Sequence, residues 1–206
     1  MGVFEDVIMK PGSAEVSRKR ERRSRQRMSD MRASRTGMSA SLWELELVPA
    51  RALPRLVGEI DALAARAAEP NIFFTPHVLE AAWPRLNSLL APSGAWMACL
   101  WETLGERRNL RLFMPMTAHG TGFPSTRVLS PLSNVFMPLG TPLVDADTLN
   151  EACETLLQLL GDPALTVPRI VDFTHLRAGG PVATAIEEAA VSLGLPHARS
   201  RRHERA

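Results

Sequence analysis

Arg177-Ala178-Gly179-Gly180-Pro181-Val182 lies between a strand-like apolar run, Arg169 to Leu176, and a helix-like run that closes near Gly194. A glycine turn at such a junction gathers the backbone amides of a helix N-terminus, and those amides bind anions such as phosphate. The same residues also fit a purely architectural role. Pro181 has no N–H to donate and favours the first helical position, while Val182 puts a branched side chain where close approach is wanted. Arg177, Gly179 and Gly180 are the candidate anion-binding residues, with simple turn formation as the competing role.

Other chemistry-bearing residues are sparse. Glu69-Pro70-Asn71-Ile72-Phe73-Phe74-Thr75-Pro76 sets two aromatic rings between prolines at an element junction. Asn71, Phe73 and Phe74 could line the apolar wall of a substrate cleft, or the rings could pack the turn onto a core. None of the five histidines has ligand spacing with another His, Cys or acidic residue, so no metal site is expected. His175 and Asp172 suggest a base and its orienting partner, but three positions apart on a strand they face opposite sides. Cys99 and Cys153 read as buried reduced thiols. Gly-x-Ser-x-Gly, P-loop and His-Glu-x-x-His motifs do not occur, which removes support for hydrolase, nucleotide-triphosphatase and zinc-protease chemistry.

The elements that position these residues begin at Leu42. Leu42 to Val48 alternates as a half-buried strand ending at Pro49. Leu53, Leu56, Val57, Ile60, Leu63 and Ala64 then mark one face of a helix running to about Ala68. Thr75 is a candidate N-cap with Pro76 at the first position of a helix carrying Val78, Leu79, Ala82 and Leu86, which Pro84 ends or kinks. Ala95 to Thr103 and Asn109 to Thr117 form a hairpin, and a short strand is expected at Arg127 to Ser130. Asp145 or Asp147 caps a helix from Thr148 to Leu160 that Gly161 and Pro163 stop. His119 falls in a loop, and His197 and His203 in a C-terminal tail. This order mixes an antiparallel meander with a crossover and predicts an α/β layered fold.

Residues 1–41 have a different composition. Arg18, Lys19, Arg20, Arg22, Arg23, Arg25 and Arg27 crowd one stretch, so the formal net charge of +2 leaves the rest of the chain close to neutral or slightly acidic. With almost no periodic apolar pattern after Ile8, the segment is expected to be a disordered basic arm, suited to weak contact with nucleic acid or another anionic surface. Met28, Met31 and Met38 are alternative starts, so the arm is also open to being a mis-assigned start. The apolar runs are too short for a membrane span, and no secretory signal pattern opens the chain. A cytoplasmic location is the default expectation.

Two turns, Glu69 to Pro76 and Gly140-Thr141-Pro142-Leu143-Val144-Asp145, with the apolar hairpin Trp96 to Met116 between them, resemble the GNAT-type acyltransferases associated with cellulose biosynthesis, the CelD/BcsL-like family. The resemblance covers Leu42 to Ala206. It implies a GNAT-like mixed sheet flanked by helices and acyl transfer from acetyl-CoA or another acyl-CoA, with no metal. Family members are about twice as long and hold two GNAT-like halves, so residues 42–206 correspond to the N-terminal half. Glu204-Arg205-Ala206 resembles the connection into the second half, which carries the better-formed acyl-CoA site. The family's pyrophosphate-binding signature is Arg or Gln, two residues, Gly, one residue, Gly or Ala. Here Arg177 and Gly180 fit its opening and Val182 departs from its end. The implied protein is an acyltransferase half, truncated or inactive by itself. The alternative is a non-catalytic, degenerate GNAT-like binding module.

Overall fold

The computed structural model describes residues 2–9, 41–82, 95–121, 126–133, 137–165 and 167–205. Its strands are β1 (Gly2–Met9), β2 (Leu42–Pro49), β3 (Ala95–Leu104), β4 (Arg107–Thr121), β5 (Thr126–Pro131), β6 (Leu143–Val144), β7 (Ile170–Arg177) and β8 (His197–Arg205). They form one open mixed sheet in the order β2-β3-β4-β5-β7-β1-β8, with β6 paired to β4. The helices are α1 (Val57–Ala64), α2 (76–82), α3 (Leu149–Leu160) and α4 (Pro181–Leu193). The α/β expectation holds.

Local signals explain most of these elements. The β3–β4 hairpin closes through Gly105 and Glu106 alone, with Leu104 opposite Arg107 and Gly105 at φ 60. A positive φ at the first central residue suits a two-residue hairpin, and glycine adopts it without steric cost. The connection is tighter than the run from Leu104 to Arg108 suggests. β3 is buried on both faces from Met97 to Glu102, because β2 and β4 flank it and apolar side chains meet it above and below. At the edge, Arg108 of β4 bonds Glu44 and Glu46 of β2 at 3.1 and 2.6 Å and stacks on Trp101 at 4.2 Å. This charged row gives the open edge a polar face. α3 buries Ala152, Cys153, Leu156, Leu157 and Leu160, the helical spacing that packs it against α4. α4 ends at Gly194, whose φ of 55 lets Leu195 N return to Ala190 O at 2.8 Å.

Four expectations need correction. Gly2–Met9 forms a strand inside the sheet, antiparallel to both β7 and β8, where the sequence predicts a disordered arm. Its register with β8 sets Glu5 opposite Arg202 and Asp6 opposite Arg201. The predicted C-terminal tail is the edge strand β8, and His119 lies on β4 rather than in a loop. The long helix predicted from Leu53 divides into a 3-10 turn, Ala50–Arg55, and α1, because Pro54 lies within the first segment. The basic cluster Arg18 to Arg27 and the helix end around Pro84 and Leu86 lie outside the described residues.

Candidate functional site

The glycine turn and the Glu69 turn meet at the N-terminus of α4, and Asn71 ties the Glu69 turn to the Gly140 turn. Gly179 has φ 69, Gly180 donates its N–H to Arg177 O at 2.9 Å, and Pro181 holds the first helical position. The next amide, Val182 N, donates to Glu69 Oε1 at 2.8 Å, and Glu69 is only 5% exposed. A Cβ at Gly180 would overlap the Glu69 carboxylate, so a larger residue there would require that side chain to move. An internal carboxylate therefore sits where the amides and dipole of α4 favour an anion. Burial pushes the Glu69 carboxyl above its ordinary range, opposed by the Val182 bond and the charge of Arg177.

Two residues along, Asn71 is 2% exposed and uses both ends of its amide. Its Nδ2 donates to Thr141 O at 2.7 Å and Leu139 O at 3.3 Å, while its Oδ1 accepts from Phe73 N at 3.1 Å. Phe74 is fully buried in the core and Phe73 packs against it half-buried, with Ile72 pointing out at 65% exposure. These contacts are with the protein's own backbone and core.

The far end of the Gly140 turn is held by charge. Asp145 accepts from Arg66 Nε at 2.6 Å, from Arg111 Nη1 at 2.5 Å and from Asp147 N at 3.0 Å. Arg111 also bonds Glu102 at 2.9 Å. Burial alone would raise the Asp145 carboxyl, but the two guanidinium bonds outweigh it and hold it below its ordinary range. Asp145 caps the short 3-10 turn Ala146–Thr148 that leads into α3, so the expected cap acts one turn earlier than the α-helix itself.

A second polar group gathers where β5 and β7 meet. Among the described strands this is the parallel pair, and its ladder holds two residue pairs, Val128 with Ile170 and Leu129 with Val171. Beyond it, His175 takes φ 56, a costly conformation for a non-glycine residue. Its Nδ1 lies 3.3 Å from Ser133 Oγ, which is 3.1 Å from Thr174 Oγ1, and its N–H donates to Asp6 Oδ1 at 2.8 Å. Gly140 passes so close to Thr174 O that no Cβ fits. Asp172 Oδ1 has no hydrogen-bond partner, so no bond from that atom orients His175.

Among the described residues no group of three His, Cys, Asp or Glu side chains is placed to hold a metal ion, and no helix is long and apolar enough to cross a membrane. Burial pushes both Cys99 and Cys153 thiols up to about 12, which leaves them protonated and unreactive at neutral pH. Sequence reasoning missed Glu69 as a partner of α4 and Ser133 as a partner of His175. Glu69 and Val182 are 113 positions apart, with no shared local pattern.

The fold and these contacts define an α/β protein whose open mixed sheet is locked at one end by buried polar turns. No protein-family model and no curated protein matches the chain.

Proposed function

We propose that the chain is the N-terminal GNAT-like half of an acyltransferase of the cellulose-biosynthesis-associated type, and that it serves as a structural and binding module rather than as the acyl-CoA site. The carrying observation is the Glu69 carboxylate bonded to Val182 N at the head of α4. A pyrophosphate held by Arg177, Gly179 and Gly180 would need the same amides and the same space. Two negative groups cannot share that helix end without strong repulsion. Acetyl-CoA or another acyl-CoA is in this reading bound by a second GNAT-like half, the proposed partner. The bonds by which Asn71 ties the two family-like turns together support a role in holding the module's shape.

Calorimetry of the full chain with acetyl-CoA tests this. The expected result is no saturable heat for wild type and none for Arg177→Ala. Micromolar binding by wild type that is lost in Arg177→Ala would overturn the reading and restore the glycine turn as a working cradle.

A further inference from the structure

β5 and β7 run parallel, and past their last ladder pair, Leu129 with Val171, the chain brings Ser133 and His175 side by side. The carboxyl ends of such strands are where open α/β sheets receive ligands. Ser133, Thr174 and His175 are each only half-buried, so none of the three is sealed in the core. His175 Nδ1 stands 3.3 Å from Ser133 Oγ, the spacing of a nucleophile and its base before a substrate draws them together. With the ring proton on Nε2, Nδ1 accepts from the Ser133 hydroxyl. Thr174 Oγ1, 3.1 Å from the same oxygen, is then the donor that fixes its direction.

The backbone supplies an independent observation. His175 holds φ 56, a left-handed conformation that a non-glycine residue keeps only where its surroundings impose it. Three contacts do so here. Its N–H donates to Asp6 Oδ1 at 2.8 Å, its carbonyl accepts from Gly140 N at 3.4 Å, and Gly140 packs against Thr174 O too closely for any Cβ. Glycine at 175 would adopt this φ without cost and lose only the imidazole, so the strain is kept together with the ring. Strain of this kind gathers at reactive sites, where it aims a side chain. The neighbouring charge selects the electrophile. Asp6 sets a carboxylate against His175, which opposes an anionic group, whereas a neutral acyl carbonyl meets no such repulsion.

We infer that Ser133 is a nucleophile activated by His175, and that the pair takes an acyl group from an activated carboxylic ester. Ser133 Oγ bonds to the carbonyl carbon as its proton passes to His175 Nδ1. The bond from that carbon to the leaving oxygen then breaks, and the leaving oxygen takes the proton from the imidazolium. Water, giving a proton to the same nitrogen, adds to the acyl carbon and releases a carboxylic acid while the proton returns to Ser133 Oγ. The dyad stands on its own geometry and does not require the acyltransferase reading.

The test treats the full chain with an uncharged alkyl fluorophosphonate, which bonds to nucleophilic serines with loss of fluoride, and separately with p-nitrophenyl acetate. Intact-mass measurement should show a single adduct, and peptide mapping should place it at Ser133. Ser133→Ala removes a half-exposed hydroxyl, keeps the fold and should take no adduct. His175→Gly should label roughly a hundredfold more slowly, the scale of general-base assistance, while melting at or above the wild-type temperature because glycine relaxes the backbone. A purely structural histidine predicts the reverse, a lower melting point with an unchanged labelling rate. Release of p-nitrophenolate above the buffer rate should disappear in both variants. Wild type that takes no adduct, an adduct mapped to another residue, or equal labelling in His175→Gly would overturn the inference.

Discussion

Replacing Glu69 separates its two effects on the fold, the hydrogen bond it accepts and the buried charge it carries. Glu69→Ala leaves the buried Val182 N–H without its acceptor at 2.8 Å and strips the head of α4 of its anion. An unsatisfied buried donor costs about 1–3 kcal/mol, and loss of a helix cap falls in a similar range. A net loss near 2 kcal/mol corresponds to a Tm lower by about 4–8 °C for a chain of this size. Glu69→Gln keeps an oxygen for Val182 and removes the charge, so it should match or exceed wild-type stability at pH 7. The pH dependence follows from burial raising the Glu69 carboxyl above 4.5. The folded state then holds its proton at a pH where the unfolded chain has released it. Its contribution is complete below the unfolded pKa and is lost as pH rises through the folded one. Thermal denaturation from pH 4 to pH 8 on wild type, Glu69→Ala and Glu69→Gln is the assay. An alanine variant melting within about 1 °C of wild type, less than half a kcal/mol on the same scale, would refute the claim that Glu69 caps α4.

Deleting residues 1–9 should lower the melting point by about 4 °C or more, since among the described strands β8 pairs only with β1 and at least ~2 kcal/mol of ladder and packing is lost; an unchanged midpoint in thermal denaturation would show that β1 does not insert. Asp145→Asn weakens two charge-assisted bonds at a side chain 1% exposed, but Arg66 is 36% exposed and Arg111 keeps Glu102, so urea titration should show a loss of about 1–3 kcal/mol, the range for hydrogen bonds to charged groups. Because the Asp145 carboxyl is held below 3.8, its contribution stays intact above that range and disappears only as pH falls through the lowered value, which acid titration of the wild type can follow. Replacing the seven basic residues between Arg18 and Arg27 by serine should abolish weak nucleic-acid binding that falls steeply as salt rises, whereas salt-independent binding in filter assays would exclude the arm as its source.

The sequence by itself determined the elements whose causes are local. Alternation marked β2, strand-like runs on either side of Gly105 marked the hairpin of β3 and β4, and Gly161 and Gly194 bounded α3 and α4. Such signals act over a few residues, through sterics and the burial of one face, and can be read along the chain. The tertiary structure decided what meets across it. Gly2–Met9 has little periodicity of its own and becomes a strand because β7 and β8 supply antiparallel ladders on either side. The glycine turn reads as an open anion site until Glu69 is brought from 113 positions away to occupy it. Likewise Asn71 reads as a cleft residue until its amide meets Leu139 and Thr141. Each is a pairing of groups far apart in the chain, set by how the sheet and helices pack, and no local pattern encodes which distant partner will satisfy a buried polar atom.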